Sequence, residues 1–200
     1  RHLNAERVMF LYPQPLLPTV MVATDGSEEG SSRGIGGLLV DIHTATRQGY
    51  ASHVPPAVVA AWPEAEAHIQ RVECVAVVIM MVIMAPRISH RNVLWFCDNS
   101  SVLGARVKGR SNDPVVHVLG QFMALFLFRI NSVVWWEFVE SAANWSDGVS
   151  RDGVGCACAK AHDFVVRDVA VPMLAARTVA EAIAELRSVC GIGEFALAAF

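Results

Sequence analysis

The stretch "VATDGS", residues 22–27, decides how this 200-residue chain is read. An apolar run leads straight into Asp25, Gly26 and Ser27. Taken alone, Asp-Gly favours a tight turn and Ser caps the next element. Taken as the end of a buried strand, about Thr19–Thr24, it places a carboxylate at a sheet edge, and the choice depends on whether other acids can meet Asp25. The arrangement recurs downstream. "NVLWFC" (92–97) is short and apolar, reads as a strand, and runs directly into Asp98.

Working outward, "GSSRG" (30–34) is a turn cluster, and "IGGLLV" (35–40) and "ATRQGYAS" (45–52) read as two further strands of an antiparallel meander. After Pro55-Pro56, a helical pattern runs over about 64–85. Its first half is polar, and its all-apolar second half requires burial against a sheet. A short helix is expected over 100–107. Asp113-Pro114 then opens a longer one to about Arg129, with Pro in the first turn. "SVVWWEFV" (132–139) is a fifth strand by its β-branched and aromatic content, and the polar loop "ESAAN" (140–144) precedes Asp147. Three strands, helix, strand, helices, strand and loop describe an α/β (α+β layered) domain over 19–152. Residues 1–18, with Pro13, Pro15 and Pro18, read as a lead-in or linker. The Ala-rich residues 153–200 read as a helical C-terminal extension, with an amphipathic helix over 179–189.

A chain that is 54% hydrophobic and 18% charged is not disordered. Its mean hydropathy of +0.40 raises the question of membrane insertion. The longest apolar run, Cys74–Pro86, is thirteen residues, against about 20 for a bilayer-spanning helix, so it reads as a core helix. No secretory leader is visible in residues 1–20, and the start on Arg1 suggests a segment of a longer polypeptide. Five cysteines without framework spacing fit a reducing, intracellular compartment, cytoplasm or nucleus. Cys156-Ala157-Cys158 lacks a second Cys or His pair at zinc spacing. A net charge of −3 does not announce a nucleic-acid binder, although Arg106, Lys108 and Arg110 form a small basic cluster.

Four acids stand at meaningful places: Asp25 after strand one, Glu73 in the helix after strand three, Asp98 after strand four and Asp147 after strand five. If strands one and four are neighbours, Asp25 and Asp98 project from the same edge and repel. A hard cation satisfied by oxygen ligands and water, Mg²⁺ above all, relieves that repulsion. Two such ions about 3.5–4 Å apart activate a water and stabilise the leaving oxygen of a phosphodiester. Glu73 has apolar neighbours, and a carboxylate on that side of a helix needs a partner such as a metal.

In this order and spacing the chain resembles the ribonuclease H family, in the form carried by retroelements beside reverse transcriptase. The matching stretches are "TDGS" (24–27) with "GIGGLLV" (34–40), "IQRVECVAVV" (69–78), "LWFCDNSSVL" (94–103) and "VESAANWSDGVSR" (139–151), spanning about 20–152. The last is similar to the N, two residues, D, two residues, SR ending of retroelement members. The resemblance implies a mixed five-stranded sheet flanked by helices, and hydrolysis of the RNA strand of an RNA–DNA hybrid to a 3′-hydroxyl and a 5′-phosphate. It carries the metal ligands onto Asp25, Glu73, Asp98 and Asp147, with Asp25 touching both of two Mg²⁺ ions; Mn²⁺ is an alternative. It also implies Ser27, Asn99 and Ser100 as substrate contacts, and recognition by backbone shape and 2′-hydroxyls.

Two departures stand out. Residues 137–147 hold no His before the last acid, which points to slower turnover. Val107–Asp113 joins two helices without a basic protrusion, which assigns substrate grip to a tethered reverse transcriptase domain. Asp152 is a substitute for Asp147 only off the N-to-D spacing. Competing readings are a DNA nuclease or exonuclease of the same superfamily, which usually carries a Glu where Ser27 stands, and an inactive nucleic-acid-positioning module.

Overall fold

The computed structural model describes residues 18–54, 56–60, 62 and 68–170. Strands β1 (Val20–Glu29), β2 (Ser32–Asp41) and β3 (Thr46–His53) form the expected meander. Helices α1 (Pro56–Ala60), α2 (His68–Ile83) and α3 (Ala85–Ile88) lead to β4 (Asn92–Cys97), which returns parallel to β1. Helices α4 (Ser100–Lys108) and α5 (Pro114–Arg129) cross over to β5 (Val133–Phe138), parallel to β4. After a turn of 3₁₀ helix at Ser141–Ala143 come α6 (Asp147–Asp152), a second 3₁₀ turn at Gly153–Gly155, α7 (Ala157–Ala161) and β6 (Val165–Asp168). The result is a mixed sheet in the order β5-β4-β1-β2-β3-β6, flanked by helices.

The sheet has six strands, not five. The sixth, Val165–Asp168, pairs parallel to β3, so the chain beyond 152 adds to the sheet before leaving the described residues. Residues 64–67 of the helix expected over 64–85, the helix expected over 179–189 and residues 1–17 of the expected linker 1–18 lie outside the described residues.

Local chemistry sets the element ends. Asp113 accepts from the amides of Val115 and Val116 and Pro114 comes next, which opens α5 where the sequence expects it. Asn99 does the same for α4 through Ser101 and Val102. β1 and β2 join through Gly30-Ser31, with Gly30 at φ 58° in the first loop position, as primed hairpin turns require.

Every side chain from Cys74 to Met81 is buried. Helix α2 is wedged between the sheet and α5, which explains why its second half is apolar all round rather than along one stripe. Trp95, Ile35, Leu39, Met80, Met123 and Phe126 build this main core. A smaller cluster of Leu38, Ala51, Val149, Cys156 and Ala159 lies on the opposite face, under α6 and α7. Among the described residues no helix is long and apolar enough to cross a membrane.

Candidate active site

β1 does not end at Asp25. It continues to Glu29 against β2, with Asp25 paired opposite Gly36. What ends there is the neighbour: the parallel pairing with β4 stops at Ala23 and Phe96. Asp25 therefore stands in the notch above β4, fixed by β2 on its other side, and a ladder on one side holds it more firmly than a turn would.

Pleating sends successive residues of β1 to opposite faces. Gly26 faces α2, and a Cβ there would lie 2.8 Å from the Glu73 backbone nitrogen. The missing side chain is what lets α2 rest on the strand and bring Glu73 to the notch. Asp25 and Ser27 face α6. Gly34 and Gly36 open the same kind of berth on β2, where added Cβ atoms would meet Ser150 O at 1.9 Å and Ser150 N at 2.5 Å.

The last acid arrives on α6, which is locked to β1 by the spacing of residues 144–151. Asn144 Nδ2 donates to the Thr24 carbonyl at 3.1 Å, and its Oδ1 accepts from the Ser146 amide and hydroxyl. Ser150 Oγ lies in hydrogen-bond contact with the Asp25 carboxylate and with the Asp147 carbonyl. Ser27 Oγ donates to the Ser150 carbonyl at 2.9 Å. Arg151 donates to Asp147 Oδ1 from Nε at 3.1 Å and from Nη2 at 2.9 Å, and its Nη1 lies 3.4 Å from Glu29.

All four predicted acids line one open cleft of ≈ 500 Å³, with Ile69 and Arg151 among the other lining residues. Oxygens of Glu73 and Asp98 and the sulfur of Cys97 lie within 4.8 Å of one another. Glu73 Oε2 and Asp98 Oδ1 are buried with no hydrogen-bond partner. Burial pushes the Asp25 carboxyl up to about 7, and Asp98 and Asp147 add to it, against the opposing effects of Ser150 and Arg151. Burial pushes Glu73 up to about 8, again with Asp98 and Asp25 adding and a bond from Asn99 opposing. Carboxylates that hold protons this tightly and leave buried oxygens unmatched are short of positive charge. Such an oxygen donor set fits a hard divalent cation.

The other predicted residues divide by burial. Ser27 is 5% exposed and its hydroxyl is engaged with Ser150, while Asn99 caps α4 and bonds Glu73. Ser100, at the start of α4, faces solvent. Asp152 is exposed at the end of α6 and does not line the cleft. Of the basic cluster, Arg106 turns inward, 5.2 Å over the Trp136 ring and bonded to Gly120 O, while Lys108 and Arg110 are exposed. Cys156 is buried and caps α7, whereas Cys158 is exposed, so the two do not converge.

Sequence reasoning did not assign roles to Asn144, Ser150, Arg151 or Cys97. The first three were visible as a spacing: Asn, Asp, Ser and Arg at 144, 147, 150 and 151 put a dock, an acid of the cleft, a brace and a counter-charge on one short helix and its lead-in. Cys97 gave no signal, because a thiol at the end of an apolar strand reads as core.

No protein-family model matches the sequence, and no curated protein matches it. Solved structures similar to it include RNase H1 from the halophilic archaeon Halobacterium salinarum NRC-1, at TM-score 0.49 and 17% identity, covering 68% of this chain and 96% of that one. The N-terminal RNase H domain of Rv2228c from Mycobacterium tuberculosis gives 0.48 and 17%, covering 72% and 99%. LC11-RNase H1, isolated from compost by a metagenomic approach, gives 0.48 and 12%, covering 64% and 89%. At these identities and TM-scores the likeness assigns neither activity nor site residues.

Proposed function

We propose that this chain is a divalent-cation-dependent endonuclease of ribonuclease H type that hydrolyses the RNA strand of RNA–DNA hybrids. One observation carries the reading: two buried, unpartnered carboxylate oxygens, on Glu73 and Asp98, meet in a cleft that Asp25 and Asp147 complete. Buried carboxylate oxygens gathered without partners are answered by a cation, which supplies both the missing partner and the missing charge. Asp25, Glu73, Asp98 and Asp147 are the residues that would hold Mg²⁺, or Mn²⁺ in its place. When bound, paired ions supply an activated water and stabilise the leaving oxygen. The chain's own part is orientation. Ser150 fixes the Asp25 carboxylate, Asn99 fixes Glu73 while capping α4, and Ser100, exposed two residues after Asp98, would meet substrate.

The choice of hybrid over other phosphodiesters, and the setting beside a reverse transcriptase in a retroelement polyprotein, rest on the residues 24–27, 69–78, 94–103 and 139–151. The decisive assay offers labelled RNA–DNA hybrid, duplex DNA and duplex RNA to the purified chain with Mg²⁺, alongside Asp98→Asn. RNA-strand cleavage lost in the variant is the expected result. Cleavage of duplex DNA would move the reading to a DNA nuclease, and a folded protein inert toward all three would make it a positioning module.

A further inference from the structure

Arg151 is the one basic side chain among the described residues lining the cleft, against Asp25, Glu28, Glu73, Asp98 and Asp147. It does not point away from them. Two of its nitrogens engage Asp147, a third reaches toward Glu29, and its side chain is still 49% exposed. Helix geometry explains the first pairing, since residues four apart share a face. It does not explain the second contact, to a strand 122 residues earlier.

Asp147 thus has a cationic partner already, whereas Glu73 Oε2 and Asp98 Oδ1 are buried with none. Both Arg151 bonds land on Asp147 Oδ1, so an ion drawing on all four acids competes with the guanidinium for that carboxylate. The guanidinium, released at the mouth of an acidic cleft, then lies beside whatever polyanion approaches. A planar fork of donors suits a backbone phosphate, which accepts two parallel bonds as a carboxylate does.

We propose that Arg151 is an exchangeable partner. It neutralises Asp147 until a divalent ion takes that carboxylate, and it then contacts a phosphate of the bound nucleic acid. This rests on the nuclease reading above, and its two halves are measured without cleavage.

Mn²⁺ binding to the full chain is monitored by electron paramagnetic resonance for the unmodified protein, Arg151→Ala and Arg151→Lys. Removing a half-exposed competitor worth up to about 1 kcal/mol should tighten Mn²⁺ binding about two- to fivefold in Arg151→Ala. Hybrid binding is read by fluorescence anisotropy across a salt series, with Ca²⁺ replacing Mg²⁺ to keep the strand intact. Arg151→Ala should weaken hybrid binding about tenfold, as expected for loss of one charge-assisted contact. The slope of log affinity against log salt should fall by about 1, the signature of one lost phosphate contact. Arg151→Lys keeps the charge and should restore the salt slope but only part of the affinity.

Opposite movements of ion and hybrid affinity cannot come from simple loss of structure, which weakens both. Unchanged or weaker Mn²⁺ binding in Arg151→Ala overturns the proposal, and so does an unchanged salt slope. If the unmodified protein binds hybrid yet cleaves nothing, the nuclease reading falls while the exchange stands on these two measurements.

Discussion

At the scale of single residues, the cleft is an electrostatic tension held by burial. Ordinary carboxyls lose their protons near pH 4, whereas Asp25 and Glu73 keep theirs to about 7 and about 8. In the ion-free chain the folded state therefore binds more protons than the unfolded one between about pH 4 and pH 8, and stability falls as pH rises through that window. The urea midpoint in EDTA should be higher at pH 5.5 than at pH 8.5, and Mg²⁺ should raise it most at the higher pH. Asp25→Asn and Glu73→Gln should each flatten the pH dependence; a flat profile in the unmodified chain would contradict the burial argument. Ser150→Ala has a different expected signature. It removes the hydroxyl that braces a buried carboxylate, so it should cost about 1–3 kcal/mol in denaturant unfolding and weaken Mn²⁺ binding together.

At the scale of elements, glycines decide where helices rest. Gly34→Ala drives a Cβ to 1.9 Å from the Ser150 carbonyl, a backbone atom that cannot turn aside. We expect α6 to be displaced, with Mn²⁺ affinity lost and stability reduced by more than about 3 kcal/mol, as overpacking against backbone exceeds overpacking against side chains. Gly104, inside α4, has nothing within 4 Å of its added Cβ, so Gly104→Ala should stabilise by about 0.5–1 kcal/mol in the same urea assay. The elements also differ in how far their residues announce them. Strands β4 and β5 and helices α4 and α5 were legible because period, apolar content and caps agree over six or more residues. The far half of β1 was not, since Asp-Gly-Ser carries turn chemistry and only the ladder with Gly34 and Gly36 makes it extended. The four acids were legible as positions beside strands; Ser150 on Asp25 and Arg151 on Glu29 were not, because no local rule encodes a contact across more than a hundred residues.

At the scale of the whole molecule, the two faces of the sheet are built differently. One carries the large core under α2 and α5, and the other is covered in part by a short return of chain that ends in β6. "VVRD" was unreadable as a strand on its own, with four residues and no turn chemistry to bound it. Its pairing with β3 covers an edge, and Phe164 and Val166 close the small cluster around Leu38 and Val149. A chain cut after Gly153 should therefore be less stable in urea than one cut after Ala170, and should self-associate through the bared β3 edge in size-exclusion chromatography. Equal stability would show that the sheet is complete without its sixth strand.

The bond between Ser150 and Asp25 also carries a consequence in time. Synthesis runs from the N-terminal side, so strands β1 to β4 with α2 emerge with three of the acids long before α6 does. Contacts closed over so long a loop form late. Until residue 151 has left the ribosome, the nascent chain has Asp25 without its brace, no Asp147 and no Arg151, so the cleft cannot gather its four acids although most of the sheet has already emerged. The cleavage proposed above would thus be withheld by chain order alone until α6 has emerged.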